Sequence, residues 1–169
     1  MELIPEIAER RSIRAFLPEP LDPDVLDRIV SAGWRAPSAK NRQTWRFIVV
    51  TDESVRQRLQ DAAYGQEWIG QAPAVIALCT TNVEYRMPNN QLSYPVDIGI
   101  AAAFMMVQSE HEQVGSCPIT IYEEEEIKQI LTVPFRMRVV MLLTLGKAAE
   151  SPGITERLPK NRVIAYEHW

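Results

Sequence analysis

Histidine and cysteine are scarce in this sequence, with two of each among 169 residues. His111 and His168 lie far apart, as do Cys79 and Cys117, and neither pair has metal-ligand spacing. The sequence therefore predicts no zinc site. Two separated cysteines, without a signal-peptide pattern at the first residues, predict free thiols and a cytoplasmic location.

Glycine-rich phosphate loops are also missing. The seven glycines form neither GxGxxG nor GxxxxGK, so side chains would have to hold the phosphate of any bound nucleotide. The net charge of -4 and the pI near 5.3 argue against a nucleic-acid partner. The longest apolar run, 96–107, is too short to span a bilayer, so we expect no membrane partner.

The composition that remains is that of a globular protein, 46% hydrophobic and 24% charged. This length predicts a single domain covering residues 1–169. A monomer of that size would have a radius of gyration of only about 15 Å. It would therefore have little room to enclose a large planar cofactor.

Apolar periodicity predicts a mixture of helices and strands without regular alternation, which indicates an α+β fold. Asp22 and Asp52 are typical helix N-caps. A polar loop at 82–95 and a tail at 146–169 have no clear period. The predicted helices cover 2–11, 23–33, a segment after Asp52, 94–113 and 123–131, and the predicted strands cover 47–51, 74–80 and 138–145.

The densest cationic segment is Arg10-Arg11-Ser12-Ile13-Arg14, at the end of the first predicted helix. Three guanidinium groups and a hydroxyl can direct many donors at one phosphate. The alternative is a helix C-terminus carrying favourable cations. Arg56 and Arg58, on the third predicted helix, are expected to be exposed and to serve as a reference pair.

A second polar segment, 36–47, places Asn41 and Gln43 between the cations Lys40, Arg42 and Arg46, just before a strand. Ligands often bind at such loops, and amides can both donate to and accept from a heterocycle. The alternative is a surface turn composed of turn-forming residues.

Together these segments resemble the nitroreductase family of FMN-dependent oxidoreductases. The resemblance follows the chain in order through RRSIRAF (10–16), APSAKNRQTWRFIVV (36–50), QAPAVIALC (71–79), DIGIAAAFMMVQSEHEQVGSCPI (97–119), LGK (145–147) and RLPKNRVIAYEHW (157–169). It implies a three-layer α+β fold with a central mixed, mainly antiparallel sheet flanked by helices. It also implies an extended C-terminal arm, 146–169, that wraps a partner in a homodimer.

The resemblance also implies roles for individual residues. Arg10, Ser12 and Arg14, with Arg11 adjacent and Arg157 from the tail, would bind the FMN phosphate. Pro37, Ser38 and Asn41 would meet the flavin ring or ribityl chain, from the partner subunit, and Gln43 matches the amide beside them. Gly115 and Ser116 would approach the flavin near N5. Thr44 and Thr155 replace a proline and a lysine that relatives carry.

The implied activity is transfer of hydride from NADH or NADPH through FMN to a small acceptor such as a nitro compound or quinone. No side chain is required as a nucleophile, so we predict no catalytic residue and no metal. Lys40, Arg42 and Arg46 are alternative cations near flavin N1 and O2, and the loop 82–95 is a candidate substrate lid. A non-catalytic FMN-binding or sensing module, or a relative that remodels the flavin, would share all these residues.

Overall fold

The computed structural model describes residues 3–169. Its helices are α1 (Pro5–Glu9), α2 (Pro23–Trp34), α3 (Glu53–Ala62), α4 (Glu67–Gln71), α5 (Ser93–His111) and α6 (Glu124–Leu131), with 3-10 turns at Ala39–Asn41 and Lys160–Arg162. Its strands are β1 (Trp45–Val50), β2 (Ala74–Thr80), β3 (Gly115–Ile119) and β4 (Arg138–Gly146). The strand predicted at 74–80 is confirmed at both ends.

The four strands form one antiparallel sheet in the order β1-β2-β4-β3. Residues along β2 alternate between two cores, with Ile76 packed against the α2 and α5 side and Ala77 against the α3 and α6 side. The sheet is therefore the middle of three layers, which confirms the predicted fold class. Within residues 3–169, parallel pairing is limited to a single bridge between Ser12 and Ser116.

Two short elements, β3 and α4, were not predicted from the sequence. Strand β3 contains Gly115 and Pro118, which disfavour a strand prediction. Because β3 pairs with β4 alone, the missing N–H of Pro118 removes no bond to a second neighbour. The five residues of α4 are too few to show a helical period.

The helix ends largely follow the predicted signals. Asp22 accepts from Asp24 N at 2.8 Å, and Asp52 accepts from Val55 N at 3.0 Å, so both predicted caps are confirmed. Helix α1 begins at Pro5 and ends at Glu9, so it is shorter than the predicted 2–11. Glu2 lies outside the described residues.

The 19-residue helix α5 crosses one face of the sheet and packs on α2. Gly33 permits this approach, since a Cβ built there would lie 2.1 Å from Met105 Cε. Val96 and Phe104 on α5 are each more than two-fifths exposed. None of the helices in residues 3–169 combines the length and apolar character needed to cross a bilayer.

Arg56 is not the exposed reference residue that the sequence suggested. Its guanidinium donates to the carbonyl of Ala72 at 2.6 Å, and to those of Gly70 and, at 3.4 Å, Thr51. Gly70 and Ala72 are buried residues, so Arg56 satisfies carbonyls at the end of α4 that have little access to solvent. The expectation was wrong for Arg56, whereas Arg58 is exposed.

We expect Arg56→Ala to lower the free energy of unfolding by about 3 kcal/mol, because it leaves buried carbonyls without a charged donor. Urea unfolding at fixed protein concentration measures the change. Arg58→Ala is the matched control on the same helix and should stay within about 0.5 kcal/mol of the parent. Equal losses in the two variants would contradict a structural role for Arg56.

Candidate functional site

The arginine cluster, residues 10–14, comes directly after α1. Its four polar residues make different contacts. Arg11 donates to the carbonyls of Ala8, Glu9 and Arg10 at 3.0, 2.7 and 2.9 Å. It therefore satisfies carbonyls at the C-terminus of α1 that have no partner within the helix. For Arg11 this matches the alternative interpretation, a cation at a helix C-terminus. The structure thus gives Arg11 a role in supporting the cluster.

The segment after Arg11 is held between β3 and the start of the tail. Ile13 N donates to Ser116 O at 3.0 Å, and Ala149 N donates to Ala15 O at 2.9 Å. Arg14 N donates to the Glu150 carboxylate at 2.6 Å. These hydrogen bonds fix the backbone positions from which the side chains of Ser12 and Arg14 extend.

Gly115 and Ser116 lie on β3 beside this segment. A Cβ at position 115 would be 2.8 Å from Ile13 Cγ1 and 3.2 Å from Gly146 O. The glycine is therefore needed for close packing within the chain itself. Ser116 is buried, with its backbone carbonyl bonded to Ile13.

Arg157 approaches the cluster from the tail. A cavity of about 640 Å³ lies between α1, the 10–14 segment and residues 152–157. Its polar lining consists of Arg10, Arg11, Ser12, Arg14, Thr155 and Arg157. Across residues 3–169, the guanidinium groups of Arg10, Arg14 and Arg157 have no hydrogen bond or ion pair. The cavity therefore holds three cations whose charge no carboxylate of the described chain pairs with.

The charge of the cluster also acts on Cys117. Burial raises the pKa of the Cys117 thiol, and the positive charges of Arg14 and Arg10 oppose that rise only in part. The thiol therefore stays protonated near neutral pH and is a weak nucleophile. Cys117 and Cys79 are both buried and free, which fits packing residues.

The second predicted segment forms a tight turn, 38–43. Lys40, Asn41 and Gln43 all have positive φ angles, 54°, 53° and 50°. Left-handed backbone at three non-glycine residues is costly and is concentrated at functional sites. Ser38 Oγ accepts from Gln43 N at 2.9 Å across the turn.

The carboxylate of Asp97 stabilises the same turn through a hydrogen bond. The carboxylate is buried in the first turns of α5, and its Oδ1 accepts from Ala39 N at 2.9 Å. Its Oδ2 is buried without a hydrogen-bond partner in the described chain. Asp97 was not among the predicted site residues, although a single acidic residue within the apolar run 96–107 was a usable signal.

The side chain of Tyr85, from the loop 82–92, contacts the turn 38–43. The Arg42 guanidinium carbon lies 3.7 Å from the centre of the Tyr85 ring, and Lys40 Nζ lies 5.5 Å from it. Arg46 instead donates to Trp45 O at 2.6 Å and Gln43 O at 3.3 Å. Its guanidinium therefore serves the local backbone.

The arginine cluster and the turn occupy opposite ends of α5. Asp97 holds the turn near the helix N-terminus, while His111 at the C-terminus contacts Glu6 of α1 at 2.9 Å. At about 1.5 Å per residue, the rise from Asp97 to His111 is about 20 Å. One chain therefore brings Arg10, Ser12, Arg14, Gly115, Ser116 and Arg157 together but leaves Pro37, Ser38, Asn41 and Gln43 far from them.

Gln66 and Trp68 lie at the start of α4, ahead of β2. Gln66 Nε2 donates to the carbonyls of Ala63 and Ile121, both at 2.8 Å, and so holds local structure. The Trp68 ring lies 5.9 Å from the guanidinium carbon of Arg14. In residues 3–169 we find no group of three or more His, Cys, Asp and Glu side chains placed to hold a metal.

Comparison with known proteins identifies the family of the chain. NADH dehydrogenase of Thermus thermophilus is 27% identical over 94% of this chain and 92% of its own length. FMN reductase (NAD(P)H) of Bacillus subtilis is 28% identical over 96% of this chain and 72% of its own. The crystal structure of a nitroreductase family protein from Clostridium novyi NT has a TM-score of 0.83 at 30% identity, covering 90% of this chain and 88% of that one. A model of the nitroreductase family matches residues 7–92 and 62–147. This chain therefore belongs to the nitroreductase family.

Proposed function

We propose that this protein is an FMN-dependent oxidoreductase. It takes hydride from NADH or NADPH and passes it, in a ping-pong sequence, to a small electrophilic acceptor such as a nitro compound or quinone. The observation that carries the proposal is the cavity where Arg10, Arg14 and Arg157 converge without partners in the described chain. Family membership and the similarity to the FMN reductase of Bacillus subtilis support it.

The residues around the cavity fit the phosphate of FMN. A phosphate carries about two negative charges and three acceptor oxygens, and arginine is suited to bind such oxygens two at a time. The Ser12 hydroxyl adds a neutral donor. No glycine loop is needed, because guanidinium groups supply the donors that a glycine-rich loop offers through its backbone.

The residues expected at the flavin ring would have to come from a second chain, because within one chain they lie far from the arginine cluster. In a two-fold dimer with antiparallel α5 helices, the N-terminal end of one α5 lies beside the C-terminal end of the other. The turn carrying Pro37, Ser38, Asn41 and Gln43 of one protomer would then face the arginine cluster of its partner. Each FMN would lie between the two chains, which overcomes the small interior of one 169-residue monomer.

Two exposed apolar surfaces support this homodimer. Val96 and Phe104 lie on α5 itself. The tail residues 153–169 are all exposed, and among them Ile154, Tyr166 and Trp169 each exceed four-fifths exposure. Exposed apolar groups of this extent are typical of interaction surfaces. We also propose that the protein is cytoplasmic, where its two buried thiols stay reduced.

When bound, FMN supplies the hydride chemistry, and the protein supplies binding and orientation. The arginine cluster fixes the phosphate end, and the strained turn of the partner orients the opposite end. The site needs no side-chain nucleophile. His111 is bonded to Glu6 and exposed, consistent with a surface pair.

The test is anaerobic reduction of the protein reconstituted with FMN. We expect NADH or NADPH to remove the yellow flavin absorbance, and a quinone or nitroaromatic compound to restore it. A protein that retains FMN but is not reduced would favour the non-catalytic binding module. Loss of flavin that no acceptor restores would favour a flavin-remodelling enzyme, and a protein that does not bind FMN would contradict all three.

A further inference from the structure

We propose that Lys40 and Arg42, held against Tyr85, form a binding site for an oxyanion group of a redox substrate. We call these three residues the Tyr85 cluster. The group is a phosphate or carboxylate carried either by the nicotinamide donor or by the acceptor. The inference rests on the proposed function and names the substrate class of that same site.

The geometry of the cluster places two cations on one aromatic ring. Arg42 lies 3.7 Å from the ring centre of Tyr85, and Lys40 Nζ lies 5.5 Å from it. The π face attracts both cations, yet the cations repel each other. An anion bound between or beside them would remove that repulsion.

The two cations are also without a counter-ion. In the part of the chain that the structure describes, neither Lys40 nor Arg42 takes part in an ion pair. Arg28, Arg138 and Lys147, by contrast, pair with Glu112, Glu124 and Glu19 at 2.8, 2.7 and 2.6 Å. In a chain with a net charge of -4, carboxylates are abundant. The two cations of the cluster are therefore left open to an external anion.

The cluster is held in place before any ligand binds. Its turn is fixed by Ser38 Oγ and by the buried Asp97. The other loop is fixed by Asn82 Oδ1, which accepts from Tyr85 N at 3.0 Å, and by the bridge between Arg86 and Leu92. A backbone that is already fixed loses less entropy on binding, so the turn and the loop that carry the cluster are preorganised for its ligand.

The sequence position of the cations connects them to the redox site. Lys40 and Arg42 flank Asn41, in the turn that the proposed function places against FMN. An oxyanion bound there would belong to the molecule that exchanges hydride with the flavin. Two sources have this chemistry: the 2′-phosphate that distinguishes NADPH from NADH, and a carboxylate on the acceptor.

Two matched substrate pairs distinguish the sources. NADPH and NADH differ by the 2′-phosphate, while 4-nitrobenzoate and 4-nitrobenzamide have similar shapes and differ by one charge. For each pair we would compare the ratio of kcat/KM values between the FMN-loaded parent and the variant Lys40→Gln/Arg42→Gln. Steady-state assays at low ionic strength keep the electrostatic effect large.

We expect the variant to lower one kcat/KM ratio, or both, at least tenfold. A fall for NADPH over NADH identifies the phosphate, and a fall for 4-nitrobenzoate over 4-nitrobenzamide identifies the acceptor carboxylate. If both ratios stay within twofold of the parent, the inference is wrong and the proposed function stands. If neither nucleotide reduces the parent, the proposed function itself fails.

Three further variants serve as controls. Arg58→Gln/Arg136→Gln removes two exposed arginines outside the cluster and should leave both ratios unchanged. Tyr85→Leu removes the aromatic face and should lower the affected ratio, whereas Tyr85→Phe keeps the face and should preserve it. A parent-like ratio in Tyr85→Leu would contradict the role given to the ring.

Discussion

Replacing Arg10 and Arg14 together with alanine is expected to weaken FMN binding by at least a hundredfold. Each guanidinium would lose a charged hydrogen bond to the phosphate, worth about 1.5–3 kcal/mol. Two such losses total about 3–6 kcal/mol, and each 1.4 kcal/mol is a tenfold change in Kd. Fluorescence titration of the FMN-free protein with FMN measures the effect.

The control pair must match the charge change without touching the site. Arg58 and Arg136 are exposed, and their side chains form no hydrogen bond in the described chain, so Arg58→Ala/Arg136→Ala should change Kd less than twofold. Arg56 is unsuitable because it supports the end of α4.

The double variant Arg10→Ala/Arg14→Ala should leave the stability of the FMN-free protein nearly unchanged. Neither guanidinium has a hydrogen bond within residues 3–169, and Arg14 only lies near the Trp68 ring. Thermal unfolding of the FMN-free variant tests this point. A large drop in Tm would assign the arginines a structural role, and equal Kd values for the two pairs would contradict the phosphate site.

Truncation of the chain after Pro152 is expected to convert the protein to a monomer and to abolish measurable FMN binding. The tail exposes Ile154, Leu158, Val163, Ile164, Tyr166 and Trp169. Full burial of a large apolar side chain contributes roughly 1.5–3 kcal/mol, so burial of half of the six would stabilise a dimer by about 5 kcal/mol or more per arm. Sedimentation velocity and FMN titration measure the two outcomes.

The truncation also removes Arg157, so a second variant has to separate the two effects. Arg157→Ala in the full chain should remain dimeric and bind FMN about tenfold more weakly. The truncated chain should fold, because residues 153–169 are exposed and contribute nothing to either main core. A truncated protein that stays dimeric with parental affinity would show that the arm does not make the interface.

Much of this protein could be predicted from sequence because its signals are local. The strand at 74–80 is apolar except for Thr80, and Asp22 and Asp52 cap helices through bonds that span two or three residues. The arginines of the cluster stand within five positions of one another, so their proximity required no knowledge of the fold. The ordered motifs added the family, and the family model confirms it.

Features that depend on distant contacts could not be predicted in this way. Strand β3 exists because β4 pairs with it, against the local preferences of Gly115 and Pro118. Arg56 has a structural role because its guanidinium donates to the carbonyls of Gly70 and Ala72, 14 and 16 residues further along the chain. These carbonyls lie at the end of α4, a helix too short to show a period in the sequence. Asp97 acts on Ala39 across 58 positions.

The sequence by itself determined which residues could bind a phosphate and which could meet a heterocycle, because charge and hydrogen-bonding capacity belong to side chains. Only the tertiary structure decided where those two sets lie. They are separated by the length of α5, about 20 Å between Asp97 and His111. Since a rigid helix cannot shorten, one chain cannot bring the two sets together, and that distance is the physical reason for the dimer proposed above.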